Sequence, residues 1–329
     1  MNRKRLSIAV VQGGPTSEAE VSRASAKSVA RALEAAGHQV IRFELNDYLP
    51  ESLRTGGFDV VFPVTHGAVG EDGSLQGLIE VLDLPYVGSN VLASALAMNK
   101  RTAKILFAAA GLPIAAGITA PRGGVSAELG ARAHAELGDR VVVKPCSNGS
   151  AIGVARLSEG ATPATIAHAI EDAWQVDDLV LIEKFVRGRE VTCGVLERGG
   201  ETRALPPTEV RAPNDAFYTY QARYASGRSE HLCPAPLGDV LVARVQEISV
   251  AAHRSLGCRD LSRVDFVVPE SGDPTLLEVN TLPGFTDTSL YPEAAGIAGI
   301  TMAELCSGFA EQAFARGATR RNAALPLPK

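Results

Sequence analysis

The strongest constraint on the fold comes from the first hundred residues, where short apolar segments alternate with segments of helical periodicity. Strands are predicted at 7–14, 39–45, 58–67 and 85–89, and helices at 17–37 and 73–84. Such alternation favours a parallel sheet that is covered by helices on both faces. Ligands bind these sheets at the carboxyl ends of the strands. The segments "GGPTSE" and "THGAVGEDG" stand at those ends.

The rest of the chain mixes the two kinds of element less regularly. Helices are predicted at 90–111 and near 162–174 and 239–257. Strands are predicted at 140–145, 154–157 and 179–186. Three more strands are predicted in the segments "REVTCGVLE", "SRVDFVVPE" and "PTLLEVN". We therefore predict an α/β fold in three parts, with a polar tail. The predicted bounds are 1–99 for an N-terminal parallel-sheet domain, 100–188 for a central part, 189–315 for a C-terminal part and 316–329 for the tail.

Composition excludes several classes of protein. A formal net charge of −5 over 329 residues argues against a nucleic-acid coat or a membrane-surface protein. The longest weakly polar stretch, 105–120, is interrupted by glycine and proline and is too short to span a bilayer. The five cysteines form no CxxC pair, which favours reduced thiols in the cytoplasm over a zinc site or a disulfide framework.

Two apolar segments carry polar side chains at every second position. In "SRVDFVV", Arg263 and Asp265 alternate with valine and phenylalanine, and in "TLLEVN", Glu278 and Asn280 are also two residues apart. Residues two apart on a strand face the same way. If the strands pair, two carboxylates and an amide converge, which is a set of hard oxygen ligands suited to Mg²⁺ or Mn²⁺. The alternative is a structural ion pair with Arg263.

A second cluster of features suits a phosphate. "VVVKPCSNGSAIG" places Lys144 at a strand end before a segment of glycine and serine, whose backbone N–H groups could surround phosphate oxygens. An ordinary glycine-containing hairpin turn is the alternative. Lys100 and the carboxylates Glu183 and Glu190 add what a nucleotide triphosphate with a divalent cation requires. A P-loop and the GxGxxG dinucleotide fingerprint are both missing from the chain.

In combination these segments resemble the ATP-grasp superfamily and, within it, the D-alanine–D-alanine ligases. The resemblance runs in order through "GGPTSEAEVS", "HGAVGEDGSLQG", "LAMNK", "VVKPCSNGSAIG", "EKFVRGRE", "FYTYQARY", "SRVDF" and "LLEVNTLPGFTDTSL". It implies two ATP-grasp subdomains of α+β type after the N-terminal domain. It also implies ATP-dependent joining of two D-alanines through an acyl phosphate, for peptidoglycan, by a cytoplasmic homodimer that uses Mg²⁺ or Mn²⁺.

The resemblance also assigns roles to single residues. Glu18, Ser150 and Tyr224 would form a hydrogen-bonded chain around the first substrate, with His66 beside it. The nucleotide would be bound by Lys100, Lys144, Glu183, Phe185, Val186, Glu190 and Arg223, and the metal by Asp265, Glu278 and Asn280. Arg263 and the Gly284 N–H would form an oxyanion site. Ser289 and Leu290 would hold the second substrate's carboxylate at a helix N-terminus.

Four positions depart from the family pattern, namely Asn99, Ala151, Thr219 and Arg223. The nearest alternative function is a related ligase that makes a depsipeptide with D-lactate or a mixed dipeptide with D-serine, although Tyr224 favours the dipeptide. A non-catalytic nucleotide-binding protein and a dinucleotide-dependent oxidoreductase are further alternatives. Retention of Arg263 and the metal ligands argues against a non-catalytic protein. The missing GxGxxG fingerprint argues against an oxidoreductase.

Overall fold

The computed structural model describes residues 5–211, 229–270 and 272–318. Its N-terminal sheet has the order β2-β1-β3 and is parallel throughout. The elements are β1 (Ser7–Gln12), α1 (Ala19–Ala35), β2 (Gln39–Glu44), α2 (Leu49–Thr55), β3 (Val60–Pro63) and α3 (Ser74–Val81). The predicted parallel sheet is confirmed. The predicted strand at 85–89 is wrong, since it is reduced to a single bridge between Tyr86 and Val61.

The predicted helix at 90–111 is two helices, α4 (Val91–Met98) and α5 (Lys100–Ala109). Asn99 separates them because its backbone is extended, with φ −85° and ψ 97°. Its side-chain oxygen accepts a hydrogen bond from the Thr102 N–H at 3.0 Å and so caps α5. Asparagine caps a helix about as well as aspartate. This departure from the family pattern therefore preserves the start of α5 and the position of Lys100.

The central sheet is antiparallel and has the order β4-β7-β5-β6. Its elements are β4 (Gly117–Pro121), α6 (Ser126–Leu137), β5 (Val141–Pro145), β6 (Ala155–Leu157), α7 (Pro163–Ala173) and β7 (Leu179–Lys184). Both helices pack on its apolar face, where Val143, Ile170 and Ile182 are buried in one cluster. The sheet therefore supports the polar loop between β5 and β6.

The C-terminal sheet has the order β11-β10-β8-β12-β13, with β9 paired to β8. Its strands are β8 (Arg189–Arg198), β9 (Glu201–Ala204), β10 (Thr208–Arg211), β11 (Glu230–Leu232), β12 (Leu261–Val268) and β13 (Thr275–Asn280). The helices are α8 (Asp239–Ser255), α9 (Leu290–Ile297) and α10 (Met302–Arg316). Phe309 and Ala313 of α10 share a core cluster with Val29 and Leu33 of α1, so the last helix packs on the N-terminal sheet.

Two further findings bear on the sequence predictions. Within the described ranges, every helix is too short or too polar to cross a membrane. All five cysteines lie in the described part of the chain as free thiols, four of them buried.

Candidate active site

Two cavities lie between the three sheets. The large cavity has a volume of about 400 Å³ and the small cavity about 160 Å³. Predicted residues that line the large cavity are Glu18, His66, Lys100, Ser150, Arg263, Glu278, Asn280, Gly284, Ser289 and Leu290. Those that line the small cavity are Lys100, Lys144, Glu183, Phe185, Val186, Glu190 and Glu278. The two cavities share Lys100 and Glu278, together with Asn148 and Gly149 of the loop after β5, so they meet at these residues.

The large cavity is closed on one side by a contact between α1 and the loop that follows β5. Glu18, at the N-cap of α1, accepts a short hydrogen bond from the Ser150 hydroxyl, and both residues are buried. Ser150 and Ala151 have φ values of +50° and +58°, which cost free energy in residues other than glycine. The loop after β5 therefore has a strained backbone at Ser150 and Ala151, where Ser150 makes its buried hydrogen bond to Glu18.

His66 follows β3 and lies in the same wall of the cavity. Its Nδ1 is 3.8 Å from Oε2 of Glu71, a buried carboxylate that also lines the cavity. Burial raises the pKa of Glu71, and the charge of Glu18 adds to the increase while His66 opposes it. Sequence reasoning missed Glu71, although it lies within "THGAVGEDG". Nothing in its local pattern marks it as buried.

The opposite wall is the loop after β13. A Cβ at Gly284 would lie 2.9 Å from the Ser289 Oγ, so any larger residue here would displace that hydroxyl. The Ser289 Oγ accepts a hydrogen bond from the Thr286 N–H at 2.9 Å. Ser289 is the N-cap of α9, which begins at Leu290. The prediction of a helix N-terminus at this position is confirmed.

Helix α1 holds this loop in place. The buried Ser25 hydroxyl accepts a hydrogen bond from the Phe285 N–H at 3.1 Å. One helical turn along, the Ser28 hydroxyl and the Arg31 guanidinium both donate to Asp287 at 3.1 Å. Hydrogen bonds from Arg31 and Ser28 lower the pKa of Asp287. The helix that presents Glu18 therefore also positions the loop of Gly284 and Ser289.

The two strands predicted to carry metal ligands are paired. In the antiparallel register Asp265 lies opposite Glu278, and Arg263 lies opposite Asn280. Both oxygens of Asp265 accept from Arg263 at 2.8 Å, and one also accepts from Thr192 at 2.7 Å. Among residues 5–211, 229–270 and 272–318, no three His, Cys, Asp or Glu side chains form a metal-binding group. The predicted trio has two carboxylates and an amide, so its metal role stays a prediction.

The small cavity has a buried ionic floor. The Glu183 carboxylate lies 2.5 Å from the ammonium of Lys144 and 2.5 Å from that of Lys104. Burial by itself would raise the pKa of Glu183, but the two lysines outweigh it and lower the pKa. Burial lowers the pKa of Lys104. For Lys144, attraction to Glu183 and Glu278 outweighs burial and raises the pKa.

The mouth of the small cavity is aromatic and charged. The Arg156 guanidinium lies 4.5 Å from the centre of the Phe185 ring and 3.9 Å from Glu190. Sequence reasoning missed Arg156 and Lys104. The "AMNKRTAK" segment contains Lys104, but only the fold shows that this lysine is buried. Thr219, Arg223 and Tyr224 lie outside the described residues, and their predicted roles stay predictions.

The similarity to known proteins covers nearly all of this chain. Residues 46–89 match the family model described as D-ala D-ala ligase N-terminus, and residues 106–310 match D-ala D-ala ligase C-terminus. A D-alanine–D-alanine ligase of Halalkalibacterium halodurans is 43% identical over 306 residues, which are 92% of this chain and 98% of that protein.

Two solved structures are similar in fold. One is a D-alanine–D-alanine ligase from Bacillus anthracis complexed with ATP, with a TM-score of 0.78, 29% identity and coverage of 94% of this chain and 98% of that one. The other is the VanG D-Ala:D-Ser ligase from Enterococcus faecalis, with a TM-score of 0.80, 28% identity and coverage of 94% and 100%.

Proposed function

This chain belongs to the D-alanine–D-alanine ligase family, and we propose that it joins two D-alanines into D-alanyl-D-alanine while ATP is converted to ADP and phosphate. The observation that carries the proposal is the meeting of two cavities at Lys100 and Glu278. Residues assigned to the amino-acid substrates line the large cavity, and residues assigned to the nucleotide line the small one. The arrangement suits transfer of a phosphoryl group from one cavity to a carboxylate in the other.

The first D-alanine is proposed to bind beside α1, with its ammonium group at Glu18. Its carboxylate would attack the terminal phosphorus of ATP, with the bond from that phosphorus to ADP breaking as the acyl phosphate forms. Such a transfer depends mainly on positioning and on cations that stabilise charge on the phosphoryl group. Lys100 at the junction and Lys144 in the small cavity are proposed to supply such cations.

The second D-alanine is proposed to bind at the start of α9. The backbone N–H groups in the first turn of a helix lack intrahelical acceptors and attract an anion such as a carboxylate. Its amine would attack the acyl carbon, and phosphate would leave from the tetrahedral intermediate. Arg263 and the Gly284 N–H would stabilise the oxyanion of that intermediate.

A divalent cation is compatible with the paired strands, because Asp265 and Glu278 are direct neighbours across β12 and β13. We propose that Asp265, Glu278 and Asn280 hold Mg²⁺ or Mn²⁺. The cation would neutralise charge on the nucleotide phosphates. With Asp265 and Glu278 engaged in this way, the Arg263 guanidinium and the Lys100 ammonium that now contact them would be available to substrate oxygens.

Three finer statements belong to the same proposal. The chain is proposed to act in the cytoplasm, in peptidoglycan synthesis and as a homodimer assembled through its N-terminal domain. The free cysteines suit a reducing compartment.

The experiment that tests the function is a substrate panel with product identification. Purified protein with Mg²⁺ and ATP is offered D-alanine alone, or D-alanine with D-serine or D-lactate, and phosphate release and products are measured. We expect D-alanyl-D-alanine from D-alanine alone. The structural likeness to a D-Ala:D-Ser ligase makes D-serine the informative competitor. Turnover that requires D-serine or D-lactate would contradict the proposal.

A further inference from the structure

Glu183 has a buried ammonium group on each of its two carboxylate oxygens. Lys144 lies 2.5 Å from Oε2 and Lys104 lies 2.5 Å from Oε1, and all three side chains are at least nine-tenths buried. The two lysines differ in position. Lys144 and Glu183 line the small cavity, whereas Lys104 lies behind them and is not among the residues that line it. The Lys104 ammonium lies 3.4 Å from the Leu276 carbonyl oxygen.

The charge balance of the cavity floor depends on Lys104. A lysine that is paired one-to-one with a glutamate has no net charge with which to attract an anion. In this structure Lys100 is partly neutralised in this way, since its ammonium lies 3.2 Å from Glu278, a carboxylate that also attracts Lys144. Lys144 and Glu183 would be another case if Lys104 were neutral or absent. With Lys104 in place, the three lysines and two glutamates of this cluster carry one net positive charge, apart from Arg156, Lys184 and Glu190, which also line the cavity.

We propose that Lys104 is a positioning residue that makes the small cavity selective for highly charged nucleotides. The positive charge of the Lys104 ammonium balances the negative charge of Glu183. The positive charge of Lys144 therefore remains available to attract the phosphates of ATP. This inference rests on the proposed function, because it concerns the nucleotide of that reaction. Charge matters at this site because the surrounding side chains are buried, where electrostatic interactions are less screened than in water.

A second role for Lys104 would produce a different pattern. If Lys104 only fixed the orientation of the Glu183 carboxylate toward the adenine, its removal would weaken all adenine compounds by the same factor. If it sets the charge of the cavity, its removal weakens ATP most, ADP less, and adenosine least. The ratio of the dissociation constants of adenosine and ATP therefore separates the two roles.

The test measures binding of ATP, ADP, AMP and adenosine by calorimetry without D-alanine, at one fixed concentration of Mg²⁺ and salt. The variants are K104M, the charge-retaining K104R and the double variant K104M/E183Q. The matched control is K27M, because Lys27 is an exposed lysine on α1. In K104M we expect the adenosine-to-ATP ratio to fall on the order of tenfold. It is expected to stay near the wild-type value in K104R and K27M.

If K104M does not fold, the single variant E183Q decides the question. It removes one negative charge and keeps both lysines, so the charge role predicts a higher ratio than in the wild type, whereas the orientation role predicts an unchanged ratio. K104M/E183Q removes one charge of each sign, so it restores the net charge of the floor and leaves no buried carboxylate without its second lysine. We expect its ratio to equal that of the wild type, even if adenosine itself binds more weakly. A ratio that stays constant in K104M, or one that falls in the double variant, overturns the inference. Wild-type protein that fails to bind ATP would overturn the proposed function as well.

Discussion

The Lys100 ammonium lies 3.2 Å from a carboxylate oxygen of Glu278, at the place where the two cavities meet. The same ammonium donates to the Asn148 carbonyl oxygen at 2.6 Å. One lysine therefore links the start of α5, the strand β13 and the loop that follows β5. A phosphate that entered the junction would compete with Glu278 for Lys100 and would leave that carboxylate available to a cation.

The first prediction concerns this carboxylate. E278Q keeps the size of the side chain and removes its charge, so a divalent cation loses one of its two proposed carboxylate ligands. We expect phosphate release at limiting Mg²⁺ to fall on the order of a hundredfold, with partial recovery at high Mg²⁺. The measurement is the initial rate of phosphate release over a range of Mg²⁺ concentrations.

The control for this experiment is E270Q, which removes an exposed carboxylate shortly after the end of β12. It should leave the Mg²⁺ dependence unchanged. If E278Q behaved like the wild type at limiting Mg²⁺, Glu278 would not be a metal ligand.

Local patterns predicted which face each side chain of β12 and β13 occupies, because side chains alternate across a strand; the pairing of the two strands entered only as a condition, and the structure shows it. Val264 and Phe266 are buried as the period of two requires, and Asp265 lies opposite Glu278. The start of α9 at Leu290 was also predicted. The pattern failed where elements are short or contain breaking residues. Helix α2 begins beside a proline, α6 contains Gly130, and β9, β10 and β11 are three or four residues long.

Two of the residues that sequence reasoning missed, Lys104 and Glu71, share one cause. Both are buried in the fold, whereas a charged residue in a helix or loop is ordinarily exposed. Lys104 pairs with Glu183, and Glu71 lies near Glu18 of a distant segment as well as near His66. Only the assembled sheets bring these groups together, so composition and periodicity could not identify them.

The second prediction concerns the support of the second-substrate loop by α1. In S25A the buried Phe285 N–H loses its acceptor, which costs about 1–3 kcal/mol if no water replaces it. The loop that carries Gly284 and Ser289 would then relax away from its present position. We expect the KM for the second D-alanine to rise on the order of tenfold while the KM for ATP changes little.

Initial rates over a wide range of D-alanine at saturating ATP, and of ATP at saturating D-alanine, provide the measurement. The control is S52A, since the half-buried Ser52 hydroxyl donates to the carbonyl oxygen of Tyr48 at the N-cap of α2, far from the site. Equal increases in both KM values would show that Ser25 supports the fold in general and does not position this loop specifically.

The third prediction tests the backbone strain at Ala151, where φ is +58°. Glycine adopts this conformation without the steric cost that a Cβ imposes. We expect A151G to raise the free energy of unfolding by about 1 kcal/mol. A131G, at an exposed position within α6, should lower it by about 1 kcal/mol. Denaturant unfolding of both variants is the measurement, and a destabilised A151G would mean that Ala151 is not strained.

The last prediction concerns pH, through Glu71. Burial raises its pKa above the ordinary value, so the folded state binds a proton more tightly than the unfolded state does. The stability associated with protonated Glu71 is fully present below the unfolded-state pKa of about 4.3 and is lost as pH rises through the raised value. E71Q cannot ionise. We therefore expect E71Q and the wild type to be similarly stable near pH 4, and E71Q to become progressively more stable than the wild type as pH rises above 4.

Thermal unfolding of both proteins from pH 4 to pH 8 measures this difference in stability. The control is E34Q, which removes an exposed carboxylate on α1. A difference that stays constant across this range would mean that Glu71 does not carry a raised pKa, because every other titrating group is common to the two proteins.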